Sequence, residues 1–184
     1  VQTCALPIFY GDAPFALTAT ATSGLPVTYS VTTPTICSVS GSTLTILASG
    51  TCYVTAAQAG NSNFDPAVNT SQIFGISKAP LTVTAMSANV GFRQPPPTVT
   101  YTYSGFVACD TSSTSSFTSL LVPPVCATVY DVVAQASATI GSTWRTYCTG
   151  GTTRNYVFTT YADGLLTIVP IAPAAPTIDY AEAI

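Results

Sequence analysis

The sequence predicts an all-β protein made of antiparallel β-sandwiches. Short runs rich in Val, Ile, Thr and Tyr recur along the whole chain, and turns rich in Gly, Pro, Ser and Asn separate them. β-Branched residues suit a pleated, half-buried surface, and evenly spaced short strands are typical of sandwiches. No stretch of ten or more residues shows a capped helical period, so we expect helices to be nearly absent.

The candidate strands form two sets that meet near Lys78. The first set comprises residues 15–21, 27–31, 43–47, 51–57 and 71–76. The second comprises residues 81–85, 98–104, 126–133, 143–148, 155–161 and 165–169. Residues 162–164 (ADG) between the last two runs predict a tight hairpin. Each set has about the size of one immunoglobulin-like domain, so we expect two tandem immunoglobulin-like sandwiches over residues 1–78 and 79–170.

The two ends of the sequence are not assigned to either sandwich core. Residues 171–184 begin as a Pro/Ala-rich linker. Alternation then resumes with Ile178, Tyr180 and Ile184 on one face, which predicts either the start of a next repeat or a strand donated to a neighbour. Residues 1–8 match the translation of a common sequencing adapter, so we exclude them from the predicted fold.

Six cysteines and no histidine favour disulfides in an oxidising, extracellular setting over a zinc site. In both halves a Pro shortly precedes one cysteine, and a second cysteine follows on a later strand. This arrangement predicts the disulfides Cys37–Cys52 and Cys126–Cys148. Reduced thiols are the alternative.

Cys109 is left without an intramolecular partner by this pairing, as is Cys4 if that residue is natural. An unpaired cysteine in a secreted chain suggests an intermolecular bond or a reactive thiol. The small, polar loop around Cys109 predicts an exposed thiol, and a buried free thiol is the alternative. A Cys4–Cys109 link between subunits would use both cysteines.

The charge content excludes several classes of function. Only 6% of the residues are charged, with four Lys+Arg against seven Asp+Glu. No basic surface is available for nucleic acid, and an acid–base or nucleophilic enzyme would lack histidine. No run approaches the ~20 apolar residues of a membrane span. We therefore expect a non-enzymatic protein without cofactor or metal.

Some residues allow a binding function, and each has a structural alternative. Asp12, Asp110 and Asp163 lie in predicted turns and are too scattered for calcium, so we expect their carboxylates to bond backbone groups. The pairs Tyr101/Tyr103 and Trp144/Tyr147 suit a sugar-binding row, but sheet cores use such residues more often. Asn69 begins a glycosylation sequon.

Several segments resemble repeats of large bacterial surface proteins. Residues 10–15 (YGDAPF), 22–29 (TSGLPVTY), 48–52 (ASGTC) and 58–61 (QAGN) are similar to bacterial immunoglobulin-like repeats. Residues 78–85 (KAPLTVTA), 103–107 (YSGFV), 155–158 (NYVF) and 164–168 (GLLTI) resemble the MBG module of such proteins. Residues 92–97 (FRQPPP) depart from the module's usual Tyr-Gly turn, and Cys109 stands where Gly is commoner.

The resemblance implies a surface setting and carries no catalytic residues. We expect a structural subunit or repeat module of an extracellular filament or fibrous cell-surface protein, whose partners are copies of itself or adjacent repeats. An adhesin repeat that binds glycan or a host protein is the alternative.

Overall fold

The computed structural model describes residues 7–119 and 121–171. Fourteen strands and only two short helices, of four and six residues, lie in this part of the chain, which confirms the all-β prediction. Within the described residues, the strands before Lys78 are β1 (Ile8–Phe9), β2 (Phe15–Ala16), β3 (Thr28–Val31), β4 (Cys37–Ser40), β5 (Thr43–Ile46), β6 (Gly50–Ala57) and β7 (Thr70–Ser77). The elements after it are β8 (Ala79–Ala85), β9 (Ala88–Gly91), β10 (Tyr101–Ser104), α1 (Ser115–Thr118), β11 (Val125–Thr128), α2 (Val132–Ser137), β12 (Thr143–Thr149), β13 (Tyr156–Ala162) and β14 (Gly164–Val169).

The strands before Lys78 form two sheets that share one core. Their orders are β1-β7-β6-β3 and β2-β5-β4. Both sheets contribute buried residues to that core: Cys37, Leu44, Cys52, Val54 and Ile76. The disulfide Cys37–Cys52 joins β4 to β6, with its Cα atoms 5.8 Å apart, and so links the two sheets covalently.

Strand β1 uses a residue that the sequence prediction excluded. Ile8 pairs in parallel with Ile76 of β7 and packs against the core of the two sheets. Ile8 thus takes part in the fold, and the adapter origin of residues 1–8 stays a prediction. Residues 1–6 lie outside the described part of the chain.

The strands after Lys78 form two further sheets, β10-β8-β13 and β11-β12-β14-β9. Strand β8 buries every second residue, the period-two pattern of a sheet with one covered face. The second predicted disulfide, Cys126–Cys148, joins neighbouring strands β11 and β12. One buried cluster comprises Val90, Tyr130, Ala134, Ala138, Leu166 and Ile168.

Three strand predictions and one hairpin prediction need correction. The run 98–104 is a strand only from Tyr101. Strand β2 ends at Ala16 instead of residue 21. The run 126–133 is a strand only to Thr128, because the Asp131 carboxylate accepts hydrogen bonds from two backbone N–H groups and begins helix α2. Residues 162–164 do not make a tight hairpin, since β13 and β14 belong to different sheets.

The chain divides into two compact units. The first comprises Val1–Val83, Tyr103–Val125 and Thr149–Tyr161, and the second comprises Thr84–Thr102, Cys126–Cys148 and Ala162–Ile184. Lys78 lies inside the first unit, with strands on both sides of it. The immunoglobulin-like character of each half and the boundary at residues 78/79 stay predictions.

Candidate functional site

The junction around Lys78 is short and held by hydrogen bonds. A single residue separates the end of β7 at Ser77 from the start of β8 at Ala79. The Lys78 ammonium donates to the Thr153 carbonyl at 2.6 Å, and the Ala79 N–H donates to the Asn155 carbonyl at 2.9 Å. The only lysine of the sequence therefore holds the backbone that precedes β13 through a hydrogen bond.

Ser49 makes a second attachment to the same backbone. Its N–H donates to the Asn155 side-chain oxygen at 3.0 Å, and its hydroxyl donates to the Arg154 carbonyl at 2.7 Å. Asn155 is only 2% exposed, so its amide is oriented in a place that water scarcely reaches. Breaking such buried hydrogen bonds leaves unsatisfied groups behind, which costs about 1–3 kcal/mol each.

Two tyrosines meet at one carboxylate. The Tyr156 hydroxyl donates to Asp110 Oδ2 at 2.7 Å, and the Tyr10 hydroxyl donates to the same oxygen at 2.9 Å. The rings stand edge to face with centroids 5.5 Å apart. The Tyr156 hydroxyl also accepts from the Val107 N–H at 3.2 Å. The loop after β10 is thus held to the loop after β1 and to β13.

Burial of the phenol raises the pKa of Tyr156 well above its ordinary value, and the hydrogen bond to Asp110 raises it further. Both effects favour the neutral hydroxyl, which is the form that donates to the carboxylate. Gly11, next to Tyr10, has a φ of 91°, and a Cβ there would overlap the Val107 side chain. Only glycine permits this close approach.

Below the tyrosine pair lies an aromatic core. Tyr156, fully buried, contacts the rings of Phe106 and Phe117, and Tyr103 contacts Phe117 and Phe158 with centroids 4.9 and 5.6 Å apart. Tyr103 therefore belongs to the core, as the structural alternative predicts. Trp144 likewise packs half-buried against Tyr130.

The three aspartates behave differently from one another. Asp12 accepts from the Phe9 N–H at 2.8 Å, as expected for a turn. Asp110 instead holds the two tyrosines, and Asp163 forms an ion pair with Arg145 that raises the pKa of the guanidinium. The turn prediction did not include these bonds to side chains of distant segments.

Apart from the junction and the tyrosine pair, the first unit contains an inter-sheet cleft of about 690 Å³ that is open to solvent. It lies between residues 15–22 and the inner face of the β3-β6-β7 sheet. Strands β6 and β7 are eight residues long, whereas the hairpin β4–β5 has strands of four. The shorter sheet therefore leaves part of the longer one uncovered. The lining includes Leu17, Tyr29, Val54, Gln72 and Phe74 and contains no charged residue.

The other predicted site residues fall in three places. Cys109 is exposed, so the alternative of a buried thiol is wrong. Asn69 is exposed on the segment before β7. Cys4, Ile178, Tyr180 and Ile184 lie outside the described residues. Residues 7–119 and 121–171 contain no group of three side chains suited to a metal ion and no helix long and apolar enough to cross a membrane.

Comparison with known proteins finds a family similarity, in the second half of the chain. Residues 81–167 match the family model of the MBG domain (YGX type), which confirms the resemblance of this half to the MBG module. A search of curated proteins finds no match.

The structure explains both departures from the module's usual sequence. Arg93, in the segment that replaces the Tyr-Gly turn, has a φ of 61°, and Cys109, where Gly is commoner, also has a φ of 61°. Left-handed backbone costs a side-chain-bearing residue roughly 1–2 kcal/mol relative to glycine. Arg93 and Cys109 thus both stand in backbone that glycine would adopt without this cost.

Proposed function

We propose that this chain is a non-enzymatic structural subunit or repeat module of an extracellular filament or fibrous cell-surface protein. It assembles with copies of itself or adjacent repeats through β-sandwich contacts and strand edges, and disulfides stabilise it. The observation that carries this proposal is the set of hydrogen bonds that holds the connection around Lys78 to the backbone of residues 153–155.

A fibrous module has to pass tension along the chain without bending at its joints. A long Gly/Ser linker between strand sets would act as a flexible coil. Here one residue connects β7 to β8. The Lys78 and Ser49 side chains donate to the Thr153 and Arg154 carbonyls, and the Ala79 N–H donates to the Asn155 carbonyl. Bending at Lys78 would break these bonds, so the connection between β7 and β8 resists bending within the first compact unit.

An uncharged outer surface suits assembly. Tyr53 pairs directly with Ile73 on the solvent face of β6 and β7, and Phe9 stands on the same face because it pairs with Ser77. Their exposures are 42%, 56% and 37%. Monomeric proteins commonly place charges on such sheets to block association. A face without them favours contact with another subunit.

The disulfides support the extracellular setting. Both lie in compact β-structure, and in the chain-entropy model loops of these lengths contribute about 3 kcal/mol each. Stable disulfides are rare in reducing compartments. The exposed Cys109 thiol is available for a bond between subunits.

Electron microscopy of the purified full chain, combined with a glycan array, tests the proposal. A structural subunit forms polymers and shows no saturable glycan binding. Monodisperse monomers at high protein concentration would contradict it. Saturable binding to one glycan class would favour the adhesin alternative instead.

A further inference from the structure

The outer face of the β1-β7-β6-β3 sheet carries two large side chains beside an empty position. Tyr53 and Ile73 stand directly opposite each other, and both are exposed. Gly75 is the next outward position on β7; it pairs with Thr51 and is exposed as well. A Cβ at Gly75 would meet no atom within 4 Å. The face therefore has a raised pair of side chains next to a hollow.

The raised pair and the hollow are complementary to each other. Consecutive outward positions on a strand are about 6.8 Å apart. A twofold axis that lies between two facing copies and crosses β7 at Phe74 exchanges positions 73 and 75. It places Ile73 of one copy over Gly75 of the other, and Tyr53 over Thr51. Each contact then occurs twice, as in any isologous interface, and the strands of the two sheets stay roughly aligned, as in face-to-face sheet packing.

The charge of the face also favours a second copy. None of the residues of β1, β3, β6 and β7 is charged. In an isologous contact a charge close to the axis faces the same charge of the other copy, and such pairs are repulsive. A charged partner would find no ion pair on these strands and would lose hydration without compensation. An uncharged face therefore suits contact with itself.

The size of the face sets the strength of this contact. Four strands span roughly 19 Å, and the eight residues of β6 and of β7 extend for roughly 27 Å, so each copy offers at most about 500 Å². Two copies together bury at most about 1,000 Å², which is the lower limit for a specific interface. We therefore expect pairs that dissociate on dilution.

We propose that this face pairs with the same face of a second copy about a twofold axis, with Ile73 of each copy seated over Gly75 of the other. The inference rests on the proposed structural function and names one contact between its subunits. Because an isologous contact closes on itself, it joins copies in pairs. A longer polymer needs a further contact, for which the exposed Cys109 is available.

Two substitutions that change the shape of the face test the pairing. Gly75→Val fills the hollow, and within the chain its side chain enters open space. Ile73→Ala removes the raised side chain. Ile73 is 56% exposed, so about half of its surface is left to bury, and the twofold axis doubles each loss. We expect the Kd of pairing to rise about thirtyfold for either variant alone.

Sedimentation equilibrium of the full-length chain over a series of concentrations measures this Kd. All proteins carry Cys4→Ser and Cys109→Ser, so that no covalent dimer forms through these thiols. The matched control is Ser30→Val, which adds the same side chain at an exposed outward position of β3. After the twofold rotation, β3 of the second copy lies at the opposite end of the face, so the control leaves the Kd unchanged. Thermal unfolding shows that each variant is folded.

A mixture of the two variants distinguishes fit from general stickiness. In a mixed pair, Ile73 of the Gly75→Val copy lies over Gly75 of the Ile73→Ala copy, and the added valine lies over the alanine. Both raised positions then meet a small residue. We expect the mixture to pair with a Kd within about tenfold of the unsubstituted chain, although neither variant pairs well alone.

The opposite results overturn the inference. Gly75→Val that pairs as tightly as the unsubstituted chain, or more tightly, would show that apolar surface drives association without this fit. A mixture that does not pair would exclude the twofold arrangement. If either result occurs while electron microscopy still shows polymers, the structural function stands and another contact joins the subunits. An unsubstituted chain that stays monomeric at high concentration and forms no polymers refutes both proposals.

Discussion

Removing the hydroxyl of Tyr156 is the most direct perturbation of the tyrosine pair at Asp110. Tyr156→Phe keeps the ring, and with it the contacts to Tyr10, Phe106 and Phe117. It deletes the oxygen that donates to Asp110 and accepts from the Val107 N–H. The substitution therefore isolates the polar part of the attachment.

The magnitude follows from those two bonds. A hydrogen bond to a charged acceptor contributes about 1.5–3 kcal/mol and a neutral one about 1 kcal/mol, so we expect a loss of about 2–4 kcal/mol in the free energy of unfolding. At about 2–4 °C per kcal/mol for a chain of this size, the midpoint of thermal unfolding falls by about 4–16 °C.

Urea unfolding followed by Tyr and Trp fluorescence measures the change, with the disulfides intact. Tyr53→Phe is the matched control, because Tyr53 is 42% exposed on the outer face of β6 and its substitution should stay within about 0.5 kcal/mol. Asp110→Asn should cost less than Tyr156→Phe, since an amide oxygen still accepts from the hydroxyl. A loss below about 0.5 kcal/mol for Tyr156→Phe would refute the role assigned to this hydroxyl.

The same variant predicts a change in alkaline stability. The pKa of Tyr156 is raised on folding, so the folded state keeps a proton that the unfolded state has lost above pH ~10. The stability due to this group is complete below pH ~10 and declines by about 1.4 kcal/mol per pH unit above it. Tyr156→Phe removes the contribution of this group to the decline in the free energy of unfolding above pH ~10. If the free energies of unfolding of the two proteins fall in parallel with pH, the raised pKa of Tyr156 is contradicted.

Three further changes test other parts of the structure. Arg93→Gly relieves a φ of 61° and should stabilise the protein by about 0.5–1 kcal/mol, measured as a rise in the thermal midpoint; no gain would contradict the strain. Replacing Cys37 and Cys52 together by Ala should cost about 3 kcal/mol in urea unfolding, because the unfolded chain is no longer cross-linked. Cys109→Ser should abolish reducible dimers on non-reducing gels, and their persistence would exclude this exposed thiol as the link.

Strands could be predicted wherever a local pattern is strong. Strands β6, β7, β8 and β12 are found within one or two residues of their predicted bounds, because alternating burial leaves a period-two signature in the sequence. The error in β2 has a different cause. Residues 17–21 alternate as a strand would, but the hairpin beside them is too short to pair with them.

The disulfides could be predicted because each pair is close in sequence, 15 and 22 residues apart. The tyrosine pair could not. Tyr10 meets Asp110 across 100 residues and Ser49 meets Asn155 across 106, and nothing in the local sequence of either partner specifies the other. Gly11 was the one signal in the sequence, because a glycine beside Tyr10 is typical of a close contact with another segment. It does not indicate that this segment contains Val107.

The junction and the cleft lie toward opposite ends of one strand. Ser49, just before β6, bonds to Asn155, while Ala56 and Ala57 at the other end of β6 line the cleft, roughly 25 Å away at strand spacing. In the proposed structural role, a pull along β6 acts on its hydrogen-bonded end, so the bonds of Ser49 resist the separation of β6 from the backbone of residues 154–155. The other end of β6 has no such bond to this segment and borders the cleft instead.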